Sequence, residues 1–562
     1  MIPPLLQHTL REVREHFVRL YGDQADRCTE RFALLAGRYG LGLPAVAPPR
    51  PWTARDAVLI AYPDHVHAAG EPPLATLARI ARARLGDAFS TVHLLPFFPS
   101  SSDDGFSVVH FRQVDPAYGR WAEIQQLAAN YRVMADLVLN HASRQSGWFE
   151  DFTLGVAPAC RYFVTADPRA DLSAVVRPRT HPLLTPVETR AGRQHVWTTF
   201  SADQVDLDYR NPDLLFEMLD LLLFYVAQGA RVIRLDAVAF LWKEIGTPCL
   251  HAPQVHEVVR LMRRLLNLVA PDVWLITETN VPHAENVAYF GAGDQAHLVY
   301  QFSLPPLLLH AVVNEDATAL SRWLATLDPP PPGCTFLNFT ASHDGIGVRP
   351  LEGLAPAGAV AQLAAHVEGA GGQVSRRSHP DGTTTPYELN CTWYDALGGA
   401  TEEERIARFL CTHAVLLALA GVPALYFNSL FAAPNDQAGA QQSGRARTLN
   451  RHKWVEAEIE SLLGDAATPA ARVLPALLHL LRVRGAQPAF HPDAAQTVPD
   501  FGRRILAVER TGGGQRVLAV HNLSGHAVPL PPSVQGRDLV SGQRITPGAT
   551  LPPWGVHWIE LA

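Results

Sequence analysis

Between residues 57 and 431, short apolar runs recur: AVLIAYPD, TVHLLPFFP, RVMADLVLN, ARVIRLDAVAF, VWLITETN, LVYQFSL, TFLNFTASHD and ALYFNSLF. Stretches with helical spacing lie between most of them, as in VHEVVRLMRRLLNLV at 255–269. Strands that alternate with helices predict a parallel sheet. Eight such units fit an α/β fold of the (β/α)8 TIM-barrel type with insertions better than an open doubly wound sheet. No Gly-x-Gly-x-x-Gly or P-loop supports the open sheet. Upstream, Leu6, Leu10, Val13, Phe17 and Leu20 repeat at the spacing of an amphipathic helix. We therefore expect a helical extension over 1–50, ending in the Pro-rich linker GLPAVAPPRPW (42–52), and a catalytic barrel over 51–485.

Two connections are too long for simple loops. Residues 142–215 follow the third strand and 346–405 follow the seventh, and long segments there lie over the C-terminal mouth of a barrel. From 486 to 562 the pattern changes to short alternating runs, RILAVERT, QRVLAVHNLS and VHWIELA, which predict a small all-β domain. The most apolar run, AVLLALAGVPALYF (414–427), is interrupted by Gly-Val-Pro and falls short of the ~20 residues of a membrane helix. It reads as a buried helix, a turn and a strand.

Composition narrows the function classes. A net charge of −7 over 562 residues lacks the basic face that nucleic-acid binding needs. The six cysteines are scattered without a Cys-x-x-Cys pair, and the N-terminus has no basic stretch leading into an apolar one. The expectation is a cytoplasmic protein with reduced thiols and neither a membrane nor a nucleic-acid partner.

The run RVIRLDAVAF places Arg234 and Asp236 inside an apolar strand, where unpaired charge is costly. Other strand ends are polar too: Asp136 and Asn140-His141 on the third, Glu278 on the fifth, His343-Asp344 on the seventh. One acid at a strand end is ordinarily a turn or cap residue. Four such ends in barrel order converge on one mouth, which packing alone does not explain. Paired carboxylates there suit glycosidic bond cleavage: one attacks the anomeric carbon, a protonated one donates to the leaving oxygen, and a third stabilises the transition state. Arg234 would keep Asp236 ionised, and the apolar surroundings of Glu278 would keep its proton on. His65 and His67 lack a third ligand nearby and read as a polar strand-end loop. Arg376 and Arg377 beside His379 form a small basic cluster that reads first as a solvated loop, although the loop overhangs the pocket and could meet an anionic substrate or phosphate, and Asn450-Arg451-His452 reads as structural except for the nearby Arg447.

In this order ADLVLNH, RLDAV, ITETN and ASHDG resemble the α-amylase superfamily, glycoside hydrolase family 13. VHLLPFFPSSSDDGFSV, SAVVRPR, TTFSADQVDLDYRNP, KEIGTPC, FSLPPLLLHA, SHDGIGV and LNRHKW resemble its sucrose phosphorylase subfamily, over roughly 55–480. That resemblance implies retaining α-glucosyl transfer to inorganic phosphate, with no metal and no organic cofactor. Asp236 is then the nucleophile, Glu278 the acid/base and Asp344 the transition-state stabiliser. Asp103, Phe106, His141, Arg234, His343 and Arg447 form the glucose shell, Phe200 and Gln204 line the acceptor side, and Arg179 meets phosphate. Where sucrose phosphorylases carry Tyr-Gln, whose Gln touches fructose, this chain has Tyr387-Glu388, which the resemblance places at the acceptor, and Val175-Val176 stand before RPR. Glu388 would there pair with a base such as Arg179 or hydrogen-bond an acceptor hydroxyl, so that Glu388→Gln should change acceptor preference without touching glucose 1-phosphate binding. With the N-terminal helix and YFGAGDQAH (289–297), these departures resemble the glucosylglycerate phosphorylases. The expected partners are a sugar and phosphate, with a homodimer left open. The competing readings are a phosphorylase of sucrose or sucrose 6-phosphate, a hydrolase or transglucosidase, and a degenerate sugar-binding barrel, which the intact carboxylate set disfavours.

Overall fold

All eight apolar runs form the strands of one closed parallel barrel. They are β1 (Val58–Ala61), β2 (Thr91–Leu94), β3 (Arg132–Val138), β4 (Ala230–Asp236), β5 (Trp274–Thr277), β6 (Leu298–Tyr300), β7 (Thr335–Phe339) and β8 (Val422–Tyr426). Each pairs in parallel with the next, and β8 closes on β1. The computed structural model describes residues 4–40, 52–179, 181–378 and 383–561. The expected linker, apart from Trp52, and His379 lie outside the described residues.

The strands are short and, Arg231 apart, buried, so side chains at their C-terminal ends project into the mouth from fixed positions. The β3–β4 register sets Asp136 opposite Arg234 and Val138 opposite Asp236. The turn into β8 needs Gly421: its φ is +122°, and a Cβ would come within 2.7 Å of the Phe336 carbonyl oxygen. As read from the sequence, the apolar run ending there splits into the tail of a buried helix (Glu402–Ala418), a turn and β8.

The N-terminal extension holds two helices, α1 (Pro4–Tyr21) and α2 (Ala25–Arg38), the second without a counterpart in the sequence reading. Val13, Phe17 and Leu20 are buried, and Phe17 stacks on Phe216 at 5.8 Å. His16 and Arg19 meet Glu257 at 2.6 and 2.8 Å, which ties α1 to the barrel helix Pro253–Val269.

After β3, the strand His141–Ser143 pairs with Gln204–Asp206, and a hairpin joins Leu184–Thr189 to Gly192–Trp197. Val164, Val175, Leu183, Trp197 and Cys249 form a core of their own beneath this insertion. After β7, Gln373–Ser378 and Thr384–Asn390 make a hairpin, completed as a three-stranded sheet by Ile346–Gly347. The C-terminal region is a six-stranded sheet, where three strands had been expected.

Candidate active site

Every site residue named from the sequence lines one cleft over the barrel mouth, enclosing about 970 Å³ including its opening. Its floor is the β3–β4–β5 edge. Arg234 donates to Asp236 at 2.7 Å and to Asp136, which His93 also contacts at 2.8 Å. Asp136 is fully buried, and the guanidinium lies 5.7 Å from the ring centroids of both Phe106 and Tyr300. A guanidinium gripped on three sides cannot follow solvent, so it holds the Asp236 carboxylate in place and opposes the upward pull of burial on it. The next residue, Ala237, has φ +51° and donates its amide to Glu278 at 3.1 Å. A left-handed alanine between the two carboxylates is strained backbone that the surrounding packing sustains.

A second strained loop carries Asp103. Asp103, Asp104 and Gly105 all have positive φ, and a Cβ on Gly105 would meet Pro96 at 2.6 Å. Asp203 anchors the loop by accepting from Ser101 at 2.6 Å and Ser107 at 2.7 Å. Gln204 reaches Asp103 at 3.3 Å and His141 at 3.2 Å, and His141 contacts the Phe106 carbonyl at 3.0 Å. The Phe106 ring stacks on His343 at 5.0 Å with the planes 8° apart, and Phe200 packs against His141 at 5.3 Å.

Arg447 joins the third carboxylate to the second insertion. It meets Asp344 at 2.8 Å and Glu388 at 2.9 Å. Glu388 also accepts the Gly345 amide at 3.0 Å and is only 2% exposed. Its partner is thus Arg447 and not Arg179. Asn450 donates to the Ser342 and Asp344 carbonyls, and Arg451 to that of His343. The segment read as structural therefore shapes the end of β7 directly. His65 stacks on Phe427 at 5.1 Å and contacts Tyr426 at 3.2 Å, a packed aromatic cluster.

Away from the floor the lining changes sign. Arg177, Arg179, Arg349 and Arg377 face the outer cleft. Arg177 makes no ion pair among the described residues. Arg179 sits 5.7 Å from the Tyr387 ring, while Arg349 and Arg377 approach carboxylates only at 3.8 Å (Glu285) and 3.4 Å (Glu352). The sequence reading singled out Arg179 and Arg377. It missed Arg177, two residues earlier in RPR, and Arg349, which follows SHDGIGV and carries no motif of its own.

Burial pushes the Glu278 carboxyl up, and the charge of Asp344 adds to it. Burial pushes Asp236 the same way, reinforced by Glu278 and opposed by Arg234. Against burial, Arg447, His343 and Arg451 hold Asp344 well below the usual carboxylate range. The charge of Glu278 opposes that of Asp236, so the two do not titrate independently. Only Asp236 has a cation hydrogen-bonded to it, whereas Glu278 has a neutral amide, so we place the proton on Glu278.

Residues 85–326 match the α-amylase catalytic-domain model. A glucosylglycerate phosphorylase from Allomeiothermus silvanus is 47% identical over all of this chain and 99% of its own. One from Escherichia coli is 44% identical over 91% of this chain and 92% of its own. Among solved structures, sucrose 6F-phosphate phosphorylase from Thermoanaerobacter thermosaccharolyticum superposes with a TM-score of 0.73 at 25% identity, covering 86% of this chain and 96% of that one.

Proposed function

The chain belongs to the glucosylglycerate phosphorylases of the α-amylase superfamily, and from that premise we propose how it works. It is a glycoside phosphorylase that cleaves 2-O-α-D-glucosylglycerate with inorganic phosphate, giving α-D-glucose 1-phosphate and D-glycerate. The observation that carries the choice of substrate is the polarity of the cleft. Carboxylates and their bound arginines line the floor, while loosely paired guanidiniums line the outer end, where aglycone and phosphate must sit in turn.

Asp236, held ionised by Arg234, attacks the anomeric carbon as Glu278 passes its proton to the glycosidic oxygen. The bond from carbon to that oxygen breaks, glycerate leaves, and a glucosyl ester forms on Asp236. Asp344, kept anionic by Arg447, faces the positive charge that develops on the sugar ring. Phosphate then binds among the outer arginines. Glu278, now without its proton, assists its attack, the ester opens and the configuration is retained. No metal or organic cofactor enters this scheme.

The deciding assay supplies the enzyme with phosphate and a panel of α-glucosides. Glucose 1-phosphate from glucosylglycerate, formed faster than from sucrose or sucrose 6-phosphate, is the expected result. Free glucose as the main product would favour the hydrolase reading, and faster sucrose cleavage would replace glycerate by fructose.

A further inference from the structure

Glycerate linked through its second carbon carries its carboxylate one carbon from the oxygen that Glu278 must protonate. A receptor for that carboxylate must therefore stand beside Glu278, whatever else in the cleft is basic. Asn280 lies two residues beyond Glu278 in the loop leaving β5. The backbone of Gly347 packs on its side chain so closely that a Cβ there would come within 2.3 Å of it. This contact brings the segment 346–349, and Arg349 with it, to the acid/base end of the cleft.

Among the described residues, two buried polar atoms there have no hydrogen-bond partner: Arg349 Nε and Asn280 Oδ1. A buried donor or acceptor left unmatched calls for a physical reason, and a group bound beside it is one. The nearest acid to Arg349, Glu285, is 3.8 Å from its Nη2 and is also approached by His251 at 3.2 Å. It positions the guanidinium without occupying its fork. Arg179 enters from a different direction. It lies over the Tyr387 ring and also lines an outer recess past Asp103, Phe200 and Arg376 that Arg349 does not reach.

We propose that Arg349 and Asn280 form the aglycone receptor, the guanidinium fork taking the glycerate carboxylate and Asn280 Oδ1 accepting its free hydroxyl. The assignment rests on the glucosylglycerate reading and divides the basic end of the cleft in two. One part is for the organic anion beside Glu278, the other, around Arg179, for phosphate. Glycerol, which has a hydroxymethyl group in place of the carboxylate, is the matched neutral acceptor.

The experiment runs the reaction in reverse from glucose 1-phosphate, with glycerate or glycerol as acceptor, for the unmodified enzyme, Arg349→Ala, Arg349→Lys and Asn280→Ala. A charge-assisted fork predicts a loss of roughly 30-fold or more in kcat/KM for glycerate in Arg349→Ala. The loss on glycerol should be much smaller, so that the glycerate-to-glycerol ratio falls at least about tenfold. Arg349→Lys should recover part of the ratio, since it keeps the charge and loses the fork. Asn280→Ala should weaken both acceptors, because both carry the hydroxyl. Equal losses on glycerate and glycerol in Arg349→Ala, or an unchanged ratio, overturn the receptor and leave a packing role. An unmodified enzyme that ignores glycerate overturns the substrate reading and this receptor together. One that uses glycerate equally well with and without Arg349 overturns the receptor alone.

Discussion

At the floor of the cleft each carboxylate is held: Asp236 by Arg234, Glu278 by the Ala237 amide, Asp344 and Glu388 by Arg447. At the outer end the guanidiniums outnumber their carboxylates, and the contacts they do make are long. The two ends answer different demands. The floor binds the same glucosyl unit through both half-reactions, so fixed, mutually satisfied charges lower the reorganisation needed at the transition state. The outer end must accept two different anions in alternation, and charges already neutralised by tight pairs would hold neither. Asp236, Glu278 and Asp344 stand at the ends of barrel strands, while Glu388 and the outer arginines come from the insertions and the loop after β7.

The sharpest break in this contrast is at the floor. Asp236→Asn removes the nucleophile while keeping the hydrogen-bonding shape toward Arg234. It should cost on the order of 10⁴-fold or more in kcat with an unchanged unfolding midpoint. Activity within tenfold of the unmodified enzyme would refute the assignment of the nucleophile. Glu278→Gln comes next, at roughly 10²- to 10⁴-fold on glucosylglycerate. Glucosyl fluoride needs little protonation, so on that donor the loss should be much smaller. The pH profile checks the same group. Burial raises the pKa of Glu278, so its proton persists to higher pH than on an ordinary glutamic acid, and activity is lost as pH rises through that raised value. The alkaline fall should flatten with the fluoride donor. Asp344 is shifted down, so its ionisation cannot limit the rate until far into acid.

The barrel was legible because buried parallel strands leave uninterrupted apolar runs, and the carboxylates were legible because charge inside such runs needs a reason. Beyond Arg234 with Asp236, which charge pairs with which was not. Glu388 stands beside Tyr387 in sequence and reads as an acceptor residue, yet its side chain turns away from Arg179 to Arg447, nearly sixty positions further on. Arg349 escaped for the opposite reason: nothing local marks it, and only the close packing of Gly347 on Asn280 delivers it to the site. Pairings of that kind are set by loop geometry, which leaves no periodic trace in a sequence.

The Glu388 pairing changes what its substitution should do. From the sequence, Glu388→Gln should alter acceptor preference alone. With Arg447 bridging Glu388 and Asp344, the loss of charge loosens the cation that holds Asp344. We expect about 10- to 100-fold lower kcat/KM, the equivalent of one or two charge-assisted hydrogen bonds. The loss should be similar for glucosylglycerate, glucosyl fluoride and glucose 1-phosphate. A change confined to the acceptor would return Glu388 to the outer end and blur the boundary drawn between the two.

Arg179→Ala tests the outer end at its phosphate side and should have the smallest effect on the first half-reaction. Once glycerate has left, the glucosyl ester on Asp236 can be opened by phosphate or by water, and water stands at ~55 M, so phosphate prevails only through binding energy and exclusion of solvent. Arg179 makes no ion pair among the described residues and lies over the Tyr387 ring, placed to contribute the binding part. Its removal should raise the KM for phosphate roughly tenfold, the value of one charge-assisted contact on a partly open surface. It should also raise the share of free glucose among the products, while the rate with glucosyl fluoride in the absence of phosphate stays close to that of the unmodified enzyme. Product ratios measured across a phosphate titration separate these outcomes. If the KM for glycerate rises as far as that for phosphate, the two anions share Arg179 and the outer end is a single site. If neither moves, Arg177 and Arg377 carry the phosphate, and the contrast between the ends survives with a different residue at its edge.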